Sequence, residues 1–414
     1  MRVLQTCTLL VGTAAATTPT AADISTQFTA WQRRFDGVPG SLAAFAANVK
    51  LIEAHNARHD RGETSFRMGI NQFAALTAAE FKDLVSRPVP VMDRHALGDV
   101  VPLSQTDVPA AVDWVAKGAV TPVKDQGSCG SCWAFSATGA VEGAYQIATG
   151  ALRSLSEQQV IDCFQDCAQH ACGCEGGYPS AAFKYVLANG GLDTDDDYNY
   201  TQISIPCDAI QAKRVAAKID SFNMVPPMNE TQLLLAVTQQ PVSVGVNAYG
   251  PFQFYSSGVL DASVNASCTC NDVSCLDHAV LITGFGTDSS IDYWAVKNSW
   301  GAAYGEAGYI RMARHVNDAY GENTGLCGIA VLPSIPVVAK GPALPLPPLT
   351  PPHPSPRPAD WCGNCGENCE SACRTQIPGY KCDDQTTVAP VTCNCQNASE
   401  PCHSGPTVSL PQHV

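Results

Sequence analysis

Apolar residues recur at helical spacing directly after Cys132. Ala137, Ala140, Val141, Ala144 and Ala148 share a stripe, which predicts a buried helix opening at Cys132 with Ser131 near its N-cap. Upstream, residues from about 24 to 81 carry a polar-faced helical pattern, and Phe45, Asn48, Ile52 and Asn56 fall on one face at spacings of three, four and four. Residues 155–160 predict a short helix capped by Ser156. Past the middle of the chain the period changes. Residues 242–246, 279–284, 293–297 and 309–312 read as strands punctuated by glycines and polar residues. A helical first half followed by a strand-rich second half places the chain in the α+β class.

The ends have a different texture. Met1-Arg2-Val3-Leu4 opens a modest apolar run to about Ala16, then small residues to Ala22. One positive charge, a short apolar core and Ala-rich cleavage options read as a signal peptide over 1–22, too short and weak to span a membrane. No later segment is long and apolar enough to do so. Residues 86–106 lack periodicity and carry several prolines, which suits a cleavable connector. Nine prolines between Pro342 and Pro358 predict an extended spacer of about 50 Å. Eight cysteines from Cys362 to Cys402 follow. Cys362-x-x-Cys365 has zinc-like spacing, but an even set in so short a stretch favours a disulfide framework.

Composition narrows the setting. A length of 414 residues suggests two or three domains, and 45% hydrophobic content permits a sizeable core. A net charge of -14 argues against nucleic acid and against anionic membrane surfaces. Twenty cysteines imply disulfides, hence the secretory pathway, with a lysosome, acidic vacuole or the extracellular space as destination. The acidic run Asp193, Asp195, Asp196 and Asp197 reads as a solvated turn, because Tyr198 stands where a calcium loop needs glycine. No metal site or cofactor is expected. Asn199, Asn229, Asn265 and Asn397 head glycosylation sequons.

The chemistry gathers at Cys132. A thiol at a helix N-terminus feels the positive end of the dipole, so its pKa is expected to fall and its nucleophilic thiolate to form. The small residues just before Cys132 leave room for a substrate chain. Asp277-His278-Ala279-Val280 offers an imidazole ahead of a strand, and Lys297-Asn298-Ser299-Trp300-Gly301 an amide to orient it.

With Gln126-Gly127-Ser128-Cys129-Gly130-Ser131-Cys132-Trp133, these segments resemble the papain-like cysteine proteases, whose signature around the nucleophile is Cys-Gly-Ser-Cys-Trp. The resemblance implies a papain-like two-lobed fold, a helical lobe plus a β-barrel-like lobe. A helical propeptide precedes it and a small disulfide-rich module follows. Cys132 is implied as nucleophile, His278 as base, Asn298 as its orienting partner, and Gln126 as the side-chain donor of the oxyanion hole beside the Cys132 N–H. Trp300 would shield the imidazole. Gly130, Ser131, Gly176, Gly177 and Asp277 would line the substrate cleft. Tyr178, Pro179, Leu276, Ala279 and Leu332 would form the S2 pocket. Leu332 cannot neutralise a buried guanidinium, so apolar P2 residues are expected and Arg is not. The absence of a His-His loop implies an endopeptidase.

By the same resemblance, Cys129 pairs with Cys174 and Cys163 with Cys207; Cys167 and Cys172 bridge each other. One of Cys268, Cys270 and Cys275 takes Cys327, and which one is open. Residues 108–333 hold eleven cysteines, an odd number that leaves Cys132 free; each bridge adds roughly 2–4 kcal/mol. Phe45, Asn48, Ile52 and Asn56 match half of a propeptide helix motif, with Val38 and Leu42 where Glu and Arg are usual. Gly69-Ile70-Asn71-Gln72-Phe73 matches a second motif, with Ala75 in place of Asp. Plant relatives carry a Pro-rich linker and a granulin-like tail, but their adjacent Cys-Cys pairs are absent here. The expected organisation is a signal peptide 1–22, inhibitory propeptide 23–107, peptidase domain 108–335, linker 336–360 and Cys-rich module 361–414. The expected function is that of a zymogen of a monomeric cysteine endopeptidase working through a thioester. Its partners would be protein and peptide substrates, its own propeptide and cystatin-like inhibitors. The alternative is an inactive homologue acting as a binding protein. A Cys129-x-x-Cys132 redox motif is the weaker reading, since no βαβ pattern surrounds it.

Overall fold

The computed structural model describes residues 20–36, 38–85, 98–105, 107–166, 171–264, 268–316 and 323–347, plus two short strands at Tyr380–Lys381 and Gln396–Asn397. The leader before residue 20, connector residues 86–97, the Cys167–Cys172 bridge, Asn265 and the framework of the Cys-rich module lie outside the described residues.

Two helices open the structure, α1 (Ala21–Arg34) and α2 (Leu42–Asp60), followed by strand β1 (Phe66–Met68) and helix α3 (Ala78–Val85). Thr20 and Asp23 form a reciprocal capping box on α1, so the helix takes Ala21 and Ala22, which the sequence pattern assigns to the leader. Phe28, Trp31 and Phe45 build a small core where α1 crosses α2. The shared face of α2 then does two jobs. Phe45 and Ile52 are buried, while Asn48 donates to the carbonyls of Ala74 and Leu76 and Asn56 exchanges two bonds with Met68. Those amides fix the loop and strand that dock on the rest of the molecule.

The remainder divides as its sequence pattern predicts. A helical half holds β2 (Val112–Asp113), α4 (Cys132–Thr149), α5 (Glu157–Cys163), the small hairpin of β3 (Gln165–Asp166) and β4 (Ala171–Cys172), and α6 (Pro179–Asn189). A strand-rich half holds β5 (Ser221–Met224), α7 (Glu230–Gln239), β6 (Val242–Val246), β7 (Tyr255–Leu260), β8 (His278–Asp288), β9 (Ile291–Lys297), β10 (Tyr309–Ala313) and β11 (Ser334–Val337). One nine-stranded sheet runs β1-β7-β10-β9-β8-β6-β11-β5, with β2 added to β8. Only the β7–β10 pair is parallel.

Helix α4 joins the two halves. It is apolar on nearly every side, so it has to be buried all round. One side packs on Val160, Phe183 and Val186 of the helical lobe. The other lies against the sheet, where Gly139 and Gly143 permit the approach. A Cβ at Gly139 would sit 2.9 Å from Leu281 Cδ2, and one at Gly143 would sit 2.6 Å from Pro241 Cγ. The sheet's own core is Val244, Ile282, Trp294, Val296, Ile310 and Met312.

The acidic run is a turn that is solvated only in part, with Asp196 exposed. Asp193 is fully buried and pairs with Arg214, which also holds Asp197 at 2.7 Å. Asp195 faces Lys124. Local sequence shows the charges but not the distant cations that neutralise them. Strand β11 pairs with β5 through Val337, so the sheet continues two residues past the expected domain end at 335. No helix among the described residues is long and apolar enough to cross a membrane.

Candidate active site

Cys132 is the first residue of α4, and Ser131 is its N-cap. The Ser131 hydroxyl does not cap the helix. It bonds to the Tyr200 hydroxyl at 2.7 Å, and Tyr200 in turn donates to the Gln126 carbonyl at 2.8 Å. Tyr200 thereby ties the turn before the nucleophile to the residue six positions upstream. Sequence reasoning missed it, because nothing near Asn199-Tyr200 signals a partner about seventy residues away.

The Gln126 side chain is held at both ends. Its Oε1 accepts from Ser299 Oγ at 2.6 Å, and its Nε2 donates to the Cys129 carbonyl at 3.0 Å. Fixing Oε1 fixes the amide orientation, and Nε2 retains a second hydrogen to offer.

His278 opens β8, opposite Val246 on β6. Its Nε2 meets Asn298 Oδ1 at 2.7 Å, and its ring stacks on Trp300 with centroids 4.5 Å apart. Since an amide oxygen only accepts, Nε2 carries the proton in this pair. The other ring nitrogen, Nδ1, is buried and has no hydrogen-bond partner among the described residues. The Asn298 oxygen also accepts from the Ser299 N–H at 2.8 Å.

One wall of the cleft carries Gly130, Cys132, Gly176, Gly177, Tyr178 and Pro179; the other carries Leu276, Asp277, His278, Ala279 and Leu332. Every cleft residue expected from sequence is among these, apart from Ser131 beneath the wall and Trp300 behind His278. The fold adds Gly245, where a Cβ would lie 2.8 Å from Leu276 Cδ1, and Met224, Val273 and Val331, which pack with Tyr178 and Leu332. These come from strands and loops with no distinguishing local motif.

The electrostatics correct one expectation. Burial pushes the Cys132 thiol up to about 11, and the Asp277 carboxylate adds to this; N–H groups of Ala279, Trp133 and Cys132 pull the other way without winning. Burial likewise pushes His278 down to about 4, against the upward pull of Asn298. The helix terminus is therefore outweighed by desolvation, which disfavours each lone charge. In this state the neutral thiol and neutral imidazole are favoured. Burial also raises Asp277 to about 6, opposed by the Ala248 N–H and by Lys82 of α3.

The N-terminal segment sits on this site. Phe73 and Phe81 meet the Trp300 ring edge-on at 5.1 and 5.6 Å, and Gln72 Nε2 donates to the Trp300 carbonyl at 2.6 Å. Within the connector, Val100 pairs with Met224 and lies beside Leu332 at the far end of the cleft. The described parts of the segment thus flank both ends of the cleft.

Among the described residues, four bridges close around these elements: Cys129–Cys174, Cys163–Cys207, Cys268–Cys327 and Cys270–Cys275. The choice left open by sequence goes to Cys268. Cys132 is the free cysteine among the described residues.

Comparison with known proteins agrees. Residues 108–337 match the model of the papain family of cysteine proteases, and residues 41–81 match the cathepsin propeptide inhibitor domain. The chain is 40% identical over 350 residues to oryzain beta chain of Oryza sativa subsp. japonica, covering 82% of this chain and 70% of that one. It is 41% identical over 301 residues to germination-specific cysteine protease 1 of Arabidopsis thaliana, covering 71% and 76% respectively. Among solved structures, recombinant stem bromelain precursor superimposes with a TM-score of 0.66 at 37% identity, covering 76% of this chain and 99% of that one. The proform of the ragweed pollen allergen Amb a 11 cysteine protease gives a TM-score of 0.66 at 33% identity, covering 78% and 97%.

Proposed function

Because this chain belongs to the papain family of cysteine proteases and is a zymogen with a cathepsin-type propeptide, we propose that it is an endopeptidase working through Cys132, His278 and Asn298. The observation that carries this is the His278 ring. Asn298 and Trp300 hold it so that Nε2 is engaged, while Nδ1 is free in the same cleft as Cys132.

The steps follow from those roles. Cys132 gives its proton to His278 Nδ1, and the two charges form together, which avoids the desolvation cost of either alone. The sulfur adds to the scissile carbonyl carbon. The resulting oxyanion accepts from the Cys132 N–H and the remaining Gln126 Nε2 hydrogen. The imidazolium returns its proton to the leaving amine, and a thioester remains on Cys132. Water, deprotonated by His278, then attacks the thioester, releasing the carboxylate product and the thiol. Asn298 keeps Nε2–H directed throughout, as the third member of such a triad does.

The substrate pocket supports a preference for apolar P2 residues. Tyr178, Leu276 and Leu332 pack with Met224, Val273 and Val331, an apolar lining that suits an apolar P2 side chain. The test uses processed enzyme at mildly acid pH under reducing conditions, with internally quenched peptides. Leu or Val at P2 should exceed Arg in kcat/KM by at least about tenfold; equal cleavage would contradict the reading. The four bridges support maturation in the secretory pathway, with processing near Val108.

A further inference from the structure

The chain does not leave the protease at the end of β11. Residues 338–347 read Val-Ala-Lys-Gly-Pro-Ala-Leu-Pro-Leu-Pro, and those up to Leu344 lie against the helical lobe near the C-terminal end of α4. Val338 and Ala343 pack on that lobe's core. The Ala339 N–H donates to Asp220 Oδ2 at 2.6 Å, and the Gly341 N–H to the Ala148 carbonyl at 3.3 Å. The Leu344 N–H donates to the Tyr145 hydroxyl at 2.6 Å, and Arg153 Nη2 donates to the Leu344 carbonyl. Arg153 is itself braced. Its Nη1 donates to the Ala216 carbonyl at 2.9 Å, and its guanidinium lies over the Tyr145 ring, 5.6 Å from the centroid. Tyr145 stands thirteen residues after Cys132, about 20 Å along the helix, so this face is remote from the cleft.

A planar donor aimed at a backbone carbonyl and a hydroxyl that accepts from a backbone N–H hold an extended segment through its main chain. Pro342, between the held residues Gly341 and Leu344, suits the occupant, since its fixed φ lowers the entropy lost on docking. We propose that the face formed by Tyr145, Ala148, Arg153 and Asp220 is a docking groove for an extended proline-rich segment. Its occupant is residues 339–344 of the chain's own linker. The groove makes this stretch a fixed part of the protease, so trimming of the Cys-rich module begins beyond Leu344. A protease must first open a segment before cutting it, and the groove opposes that opening.

The test uses the full-length chain carrying Cys132→Ala, which excludes self-cleavage whether or not the chain is active. A broad-specificity serine protease is added, and the C-terminus of the surviving catalytic fragment is read by intact mass over time. The parent should be trimmed only beyond Leu344. Arg153→Ala and Tyr145→Phe in the same background should raise the rate of cutting within 338–344 by on the order of tenfold. Tyr145→Phe keeps the buried ring and removes only the hydroxyl, so it carries the test alone should Arg153→Ala fail to fold. Cutting of the parent within 339–344 as fast as beyond it, or unchanged rates in the folded variants, would overturn the proposal.

Discussion

In the proposed mechanism His278 is the residue on which most of the chemistry turns, and its role is measurable. Replacing it with Ala should lower kcat/KM by on the order of 10³, the usual scale of a lost acid–base group. Asn298→Ala should cost less, because it loosens the ring without removing the base; a steady-state comparison of the two processed variants checks the order. Cys132 gives a second prediction. Burial favours its neutral thiol in the zymogen, where it is only 8% exposed. Alkylation by iodoacetamide near pH 6 should therefore be slow before processing and faster afterwards; equal rates would refute the link between burial and latency. The residues proposed as catalytic, which the fold brings to one cleft, were legible in sequence because each sits in a short run of distinctive neighbours. Tyr200, Gly245, Met224 and Val273 were not, since their roles arise only when distant segments meet. The thiol's upward shift was missed for a related reason. A helix terminus is visible locally, whereas the desolvation that outweighs it depends on everything packed above.

Among the elements, the joint between α2, β1 and β7 is where acid should act on the propeptide. Ala75 is fully buried with its Cβ against Gly40, so the usual acid is missing and its space is closed. His55 of α2 is buried instead, with Nε2 2.9 Å from the Phe66 carbonyl and its ring 4.2 Å from the Phe66 ring. Phe66 opens the strand that pairs with β7. Burial lowers the His55 pKa below 6.5; Arg58 and His59 on the same helix also disfavour the cation, while the Phe66 carbonyl and Asp261 favour it. A lowered folded pKa means that docking is at full strength while the imidazole is neutral. It weakens as pH falls below the ordinary histidine value of about 6.5. His55→Gln should accordingly flatten the dependence of propeptide release on pH between about 6.5 and 4.5. An unchanged release profile would exclude this joint. Of the second-half strands, β6, β8, β9 and β10 were legible to within a few residues, because apolar runs end there at glycines or polar turns, while β5, β7 and β11 were not. Pairing order was not, and neither was the choice among Cys268, Cys270 and Cys275. The Cys268–Cys327 bridge spans 59 residues and Cys270–Cys275 spans 5. Loop entropy assigns them about 4 and 2 kcal/mol respectively, so the double Ser variant of the first pair should melt well below that of the second.

At the scale of the whole molecule, the two lobes share a buried charge cluster. Lys124 Nζ bonds to Glu157 at 2.8 Å and Glu142 at 3.3 Å, and Lys297 Nζ reaches Thr121 at 3.0 Å. Burial pulls the Lys124 pKa down, but Glu142, Glu157 and Asp195 together hold it well above the ordinary lysine range. Lys124→Met would leave those carboxylates uncompensated and should cost roughly 3–5 kcal/mol. Burial also raises Glu157 and Asp162 to about 7 and Asp277 to about 6. A carboxyl with a raised folded pKa binds more protons folded than unfolded, so stability falls as pH rises between the two values. His278 and His55 act in the opposite sense, but the carboxyls outnumber them. The zymogen should melt at a higher temperature at pH 5.5 than at pH 7.5, as scanning calorimetry would show. The most direct test of the central claim is capture of the covalent intermediate. Processed enzyme is mixed with a peptide ester bearing Leu at P2, quenched in acid and analysed by intact and peptide mass. The account predicts a single acyl group on Cys132, absent from Cys132→Ala together with turnover. Turnover without that adduct, or hydrolysis surviving in Cys132→Ala, would contradict it.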